Sequence, residues 1–347
     1  MASETRFHIR LAGARDLPDL LRCSEEAGPG FTSLPRDPAR LERIVDGSRH
    51  AADGGQGAIL MILWDNEAET VAGCASVKRG GSPRASFANF RVVRDESGEA
   101  AHLGVTSAYA EHTEVGALFV RPPYRDKGVG GWLARSRYLL IASAPESFGS
   151  HVFAELRGDI KAGGGCDFYD AIVRPHVGHS FLEADRLWAA GREDEVLSRL
   201  PEGGIDLTAH SLAERRLVGQ CHRDGTRALA MLLADNFRQE GVVDLLDGGP
   251  LVICETGRIG LLSRTHAMTV SSASARGAGQ PAVIAAGGTS AFRCIRSVIA
   301  AHEDGIVVPA AAAERLGVRS GDTVQVQFPA SARSEPGTAL VGGRQCV

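Results

Sequence analysis

Residues 125–130 read Arg-Asp-Lys-Gly-Val-Gly, an R-x-x-G-x-G string that sets two cations and two glycines between a strand-like run and a helix-like run. The run before it, TEVGALFV (113–120), is largely apolar. After it, Val129, Trp132, Leu133, Ser136 and Leu140 recur at helical spacing. A helix N-terminus leaves backbone N–H groups without partners and carries partial positive charge. Gly128 and Gly130 would let a diphosphate approach those groups, and Arg125 and Lys127 add charge beside them. The turn therefore suits a pyrophosphate-bearing cofactor. It is not a P-loop, since the G-K-[ST] ending is missing. Nor is it a dinucleotide fingerprint, because G-x-G-x-x-G does not fit and the turn follows no first strand. A ligand-free glycine turn would use the same residues; the strand before it and the helix after it favour the binding role.

The elements that must position this turn are legible in outline. FHIRLA (7–12) alternates as a half-buried strand. A helix follows with Asp16 as N-cap, Pro18 in its first turn and Gly28 as its stop, and RLERIVDG is a second short helix. GAILMILWD (57–65) and TVAGCASVKRG (70–80) read as strands joined by a polar turn. HTEVGALFV is a further strand, followed by the glycine turn, a helix reaching about residue 144, and the strand HVFAELRG (151–158). That order predicts an α/β domain with a mixed sheet. Residues 257–281, rich in Gly, Ser and Ala, read as loop or edge structure. GIVVPAAAAERLGVRSGDTVQVQF then reads as strand, short helix, turn and strand of a small β-barrel-like unit. The final residues, 331–347, are expected to form a flexible tail.

Composition excludes several function classes. A chain of 347 residues with 44% hydrophobic and 23% charged residues is long enough for a large core and more than one substructure. Its 38 basic residues are interspersed with 42 acidic ones, so no basic stripe marks a nucleic-acid partner. No run of eighteen apolar residues and no signal-like start appear, which predicts a cytoplasmic protein with no membrane association. Seven cysteines without a C-x-x-C pair read as reduced thiols, most of them packed as small apolar groups. His176 and His179 have H-x-x-H spacing but lack an evident third ligand, and are read as loop or substrate-side histidines rather than a metal site. No metal is expected.

The segment LFVRPPYRDKGVG resembles the acyl-CoA-binding segment of the GNAT N-acyltransferase superfamily. The resemblance narrows to the arginine N-succinyltransferase family through GFTSLP (30–35), NFRV (89–92), ALFVRPPYRDKGVGGWLARSRYLLIA (117–142), VFAELRG (152–158), FLEAD (181–185), VGQCH (218–222) and LLDGGPLVIC (245–254). These islands span nearly the whole chain. The resemblance implies a GNAT-like mixed sheet with a partly duplicated core over residues 1–256, and a small β-rich unit over 257–330. The second helix-and-strand set would be TRALAMLLADNFRQEGVVDLLDGGPLVIC, with FYDAIVRPHVGHSF in a similar place after VFAELRG.

The resemblance also implies an activity: transfer of succinyl from succinyl-CoA, as co-substrate, to the α-amino group of arginine or a related amino acid. Leu118 matches the position whose backbone contacts the thioester arm, with Val120 beside it, and His222 matches the family's proton donor. Such chemistry asks for a group that takes or gives a proton at neutral pH and for a fixed backbone donor at the thioester oxyanion. Direct attack requires no cysteine nucleophile. Glu155, at a strand end, is a second candidate facing the acceptor amine. Arg91 and Arg157 are candidates to grip a carboxylate with a planar guanidinium, and Ser33 is a further substrate-side residue. The chain departs from the family pattern at 163–181, expected to shape the amine pocket, and at Arg223, where the family has proline. Two other functions stay open: an acyltransferase of the same fold using another amine, and a non-catalytic CoA-binding subunit. Family analogy implies a homo-oligomer or pairing with a related subunit.

Overall fold

The computed structural model of the chain describes residues 6–28, 31, 33–81, 87–274, 279–302 and 305–329; the expected tail at 331–347 lies outside them. Fifteen strands are described: β1 (Phe7–Leu11), β2 (Ala58–Asp65), β3 (Thr70–Lys78), β4 (Asn89–Arg94), β5 (Ala100–Thr106), β6 (Thr113–Val120), β7 (His151–Glu155), β8 (Ile205–Asp206), β9 (Arg238–Asp244), β10 (Pro250–Glu255), β11 (Thr265–Ser274), β12 (Gln280–Ala286), β13 (Arg293–His302), β14 (Gly305–Pro309) and β15 (Thr323–Gln327). The helices are α1 (Leu17–Ala27), α2 (Pro38–Ala52), α3 (Val129–Ser143), α4 (Arg174–Val177), α5 (Phe181–Ala189), α6 (Asp194–Leu197), α7 (Leu212–Arg215), α8 (Thr226–Ala234) and α9 (Ala310–Leu316).

The strands run β1-β2-β3-β6-β7-β10-β9-β4-β5-β8 across one sheet, antiparallel except for the β6–β7 pair, so the sheet is mixed as expected. β2 and β3 are buried on both faces. Helices α1 and α2 cover one face through Leu20, Cys23, Leu41 and Val45, and α3 covers the other through Leu133 and Leu140. Double coverage is why AILMILWD is a continuous apolar run rather than an alternating one. Helix α3 is buried almost all round, because its second side packs on the β11–β15 unit, where the Trp132 indole donates to Cys294 Sγ at 3.4 Å.

In that unit, β12, β15, β11, β14 and β13 pair in sequence and β13 pairs again with β12, closing a five-stranded ring around Val270, Ile284, Ile295 and Val324. It joins the main sheet where β13 pairs with β1, Ile9 opposite Cys294. The expectation of a loop at 257–281 needs correcting, since β11 fills ten of those positions. Its small residues hide the strand signal, but pairing to both β15 and β14 satisfies its backbone and buries Val270 completely. Asp16 stands at the N-cap position of α1 as expected, but its side chain makes no bond to that helix. Its carboxylate instead accepts two bonds from Arg10, at 2.7 and 2.8 Å, and one from the Gly13 N–H at 2.8 Å. Two helical stretches follow β7. The first, a π-turn at Tyr169–Val173 continued by α4 and α5, builds a second core with Phe90, Leu103 and Leu245; only α8 leads strands β9 and β10 back beside β7. The β4–β5 hairpin and β8 carry too weak an apolar alternation to be read from sequence.

Candidate active site

β6 and β7 are paired only at Thr113–Val152 and Glu114–Phe153, and beyond those pairs the parallel strands diverge. Divergence starts beside a bulge. Cys74 faces Phe119 and Ser76 faces Gly116, so the single residue Ala75 spans both Ala117 and Leu118. Ala117 takes a left-handed φ of 48°, and the Cys74 thiol donates to its carbonyl at 3.5 Å. The gap opens a cavity of about 660 Å³, walled by β6 from Glu114 to Val120, the end of β7, the first turns of α3, helix α8 and the β9–β10 turn. Its size suits a small-molecule site.

At one end lies the glycine turn. Gly128, the residue before α3, has φ +69°, and no atom lies within 4 Å of where its Cβ would sit. Only glycine adopts that backbone freely, and the empty space in front of the α3 N–H groups is what an anion at a helix start requires. A Cβ at Gly130 would make only ordinary contact with Val120, at 3.5 Å, so that glycine keeps the helix face bare rather than avoiding a clash. Arg125 is held over the site: its Nε donates to the Val120 carbonyl at 3.1 Å, and its guanidinium lies 5.7 Å from the Phe119 ring centre. Two further cations reach the turn from distant sequence. Arg227 pairs with Asp126 at 3.3 Å, and Arg296 of β13 donates to the Gly128 carbonyl at 2.9 Å.

The other end is acidic. His222 starts a short 3-10 turn. Its N–H donates to the Arg157 carbonyl at 2.8 Å, and its ring Nδ1 accepts the Asp224 N–H at 3.2 Å. With Nδ1 occupied as an acceptor, the neutral ring carries its proton on Nε2. Glu155 ends β7 and takes a bond from Asn89 Nδ2 at 3.4 Å. Its carboxyl opens on the cavity. Burial pushes its proton affinity well above the usual carboxylate range, with Glu114 and Asp244 adding to the rise. Asp244 and Asp247, in the β9–β10 turn, are likewise raised by burial, Asp247 strongly and with Asp244 adding to it, although backbone N–H groups bond both. Arg157 stands among these acids. Burial lowers its guanidinium's proton affinity, Asp247, Asp185 and Asp224 offset part of that, and its Nε is sealed without a partner among the described residues.

Leu118, Val120, Arg125, Gly128, Gly130, Glu155, Arg157, His222 and Ser33 thus line one cavity. Two expected site residues do not. Lys127 points over the Tyr124 ring, 5.2 Å from its centre. Arg91 is exposed on β4, three strands from β7 across the sheet, donates to the Glu240 carbonyl at 3.3 Å and does not line the cavity. The 163–181 segment contributes no wall residue. It acts from behind: Phe168 fills the space beside Gly248, where a Cβ would come within 2.5 Å, and the Cys166 thiol contacts the Asp247 carbonyl at 4.0 Å. His176 and His179 lie away from the cavity, and among the described residues no cluster of three metal-ligating side chains exists. Sequence reasoning missed Glu114, Arg137, Asp244, Asp247 and Arg296. For Asp244 and Asp247 a signal existed, two carboxylates three apart ahead of a Gly-Gly turn.

Comparison with known proteins decides the family. The family model described as arginine N-succinyltransferase beta subunit matches residues 7–261, and the model of that subunit's C-terminal domain matches 266–327. The chain belongs to the arginine N-succinyltransferase family. It is similar to the arginine N-succinyltransferase of Photorhabdus laumondii, 27% identical over 325 residues, covering 90% of this chain and 95% of that protein. The beta subunit of the Pseudomonas aeruginosa enzyme is 26% identical over 337 residues, covering 94% and 98%. The solved structure of the arginine/ornithine succinyltransferase subunit AI from Pseudomonas aeruginosa has the same fold, with a TM-score of 0.77, 24% identity and coverage of 93% of this chain and 98% of that one. Membership makes this arginine N-succinyltransferase family member an acyl-CoA N-acyltransferase.

Proposed function

We propose that this protein transfers succinyl from succinyl-CoA to the α-amino group of arginine or a closely related cationic amino acid. One observation carries the reading: a single cavity joins an anion cradle at the α3 N-terminus to a pocket bearing Glu114, Glu155, Asp244 and Asp247. A diphosphate fits the first end. The second end suits a positively charged acceptor, whose approach would offset the burial that raises the proton affinities of Glu155, Asp244 and Asp247. Arg157, among them, is placed to take the acceptor's α-carboxylate.

The pyrophosphate would lie on the Gly128–Gly130 turn beneath Arg125, with the thioester arm running along Leu118 and Val120. Glu155 takes a proton from the α-ammonium, which frees the amine to attack the thioester carbonyl. Negative charge then develops on the carbonyl oxygen beside the bulge at Ala117, where diverged strands leave backbone groups to meet it. As the carbon–sulfur bond breaks, the Nε2–H of His222 donates to the departing sulfur and stabilises it. The proton released from the new amide nitrogen then neutralises the thiolate. No covalent enzyme intermediate is needed.

Thiol release from succinyl-CoA with arginine, ornithine, citrulline and agmatine tests this. Arginine or ornithine should be turned over, whereas citrulline lacks the cationic side chain and agmatine the carboxylate. Citrulline reacting as well as arginine would remove the role given to the acids, and no thiol release with any amine would favour a CoA-binding subunit. Ornithine as the better acceptor is the second reading, because four carboxylates do not by themselves distinguish an ammonium from a guanidinium. The family's description as a beta subunit supports an assembly with further copies or a related subunit.

A further inference from the structure

The geometry points to Arg137 as the residue that recognises the terminal carboxylate of the acyl group, and so selects succinyl-CoA over uncharged acyl-CoAs. This rests on the acyltransferase reading above and adds a residue to it. Arg137 is on α3 and only 3% exposed, yet it lines the cavity. Its Nε donates to the Ala134 carbonyl of its own helix at 2.9 Å, and Nη1 reaches the Gly116 carbonyl at a long 3.5 Å. Among the described residues no carboxylate lies within ion-pair distance of it. Its Nη2 has no partner there, and unlike the sealed Nε of Arg157 it keeps accessible surface. A guanidinium has five N–H donors, so most of this one's capacity is unspent inside the protein. Burial lowers its proton affinity, with Tyr138 and Glu114 offsetting part of the fall.

The placement matches the route an acyl chain would take. Gly130, Ala134 and Arg137 stand at i, i+4 and i+7 on α3, one face of the helix, and all three line the cavity. The first two are small and leave a clear floor; the third closes it with a cation. From the thioester carbonyl a succinyl group extends about 5 Å, one to two strand residues. That distance carries it from the bulge at Ala117 to Gly116, the residue whose carbonyl Arg137 touches. Nearby, Glu114 Oε2 is 3.9 Å from Lys78 Nζ, so this acid has a cationic partner other than Arg137. Arg157 is a poor alternative. It sits among Asp247, Asp185 and Asp224, and its carbonyl receives His222, at the acceptor end.

Butyryl-CoA is the informative comparison, because it replaces the succinyl carboxylate by a methyl group at equal chain length. In the native protein succinyl-CoA should exceed butyryl-CoA in kcat/KM by roughly 10²-fold or more. Arg137→Met should lower kcat/KM for succinyl-CoA by about 10²-fold while leaving butyryl-CoA within about threefold and the arginine KM unchanged. Arg137→Lys, which keeps the charge but not the planar fork, should recover part of the loss and serves if the Met variant does not fold. Calorimetric affinities for the two acyl-CoAs read the same contact without turnover. Equal losses for both donors in a folded variant, or an undiminished preference for succinyl-CoA, would overturn the assignment. If succinyl-CoA binds through Arg137 but no amine is acylated, the catalytic reading fails and the carboxylate site stands. Arginine succinylation indifferent to Arg137 gives the reverse.

Discussion

Replacing Gly128 by Asp and by Asn separates electrostatics from backbone strain at the proposed pyrophosphate cradle. Both side chains meet the same φ of +69° and the same open space. A non-glycine residue there costs about 1–2 kcal/mol, least for Asn and Asp, and the cost is shared by the two variants. What differs is one negative charge. Beside a phosphate charge about 4 Å away the repulsion is roughly 1 kcal/mol in water and about 4 kcal/mol at the effective dielectric near a protein surface. The Asp variant should therefore bind CoA between about fivefold and 10³-fold more weakly than the Asn variant. Stability should move the other way, since a carboxylate at a helix start gains about 0.3–1 kcal/mol from the helix dipole. Titration calorimetry with CoA at about 0.1 M and 1 M salt reads the difference, which should shrink as the screening length falls from ~10 to ~3 Å. Thermal unfolding of the free variants supplies the second sign. If folded Asp and Asn variants bind CoA equally at low salt, no phosphate lies at this turn and the reasoning from the helix start is wrong.

His222→Asn keeps an oxygen able to accept the Asp224 N–H but removes the Nε2 proton, so kcat should fall by roughly 10²- to 10⁴-fold with CoA affinity nearly unchanged; stopped-time product assays and calorimetry check the two halves, and a kcat within about threefold of native would make the histidine a structural turn residue. Asp247→Asn should stabilise the unliganded protein, and more at pH 8 than at pH 5. The native carboxyl's proton affinity is raised on folding, so the unfavourable contribution of ionising it grows as pH rises from its unfolded value, about 3.9, through its folded one. Melting curves at both pH values decide it, and a gain that is equal or larger at pH 5 contradicts the burial argument. The same substitution should raise the KM for arginine while sparing that for succinyl-CoA.

What the sequence determined by itself was local. Alternating and continuous apolar runs specify most strands of the main sheet, and R-x-x-G-x-G marks a helix start able to receive an anion, because strand period, helix period and the φ demands of glycine are all written within a few residues of one another. His222, Glu155 and Arg157 were within reach because they lie in short motifs that a family resemblance could carry. Tertiary structure decided which charged residues share a space. Arg91 and Arg137 look alike in sequence; strand order places the first three strands from β7 across the sheet, and helix phase turns the second into the cavity. Asp244 comes beside Glu155, and Asp247 beside Asp244, only because β9 and β10 return beside β7 after some ninety residues of intervening chain. β11 escaped notice because its strand character comes from neighbours on both sides rather than from its own small side chains. Periodicity along a chain encodes an element and the face it buries, but register and strand order are set by pairing between distant segments, and the site is made of what those pairings bring together.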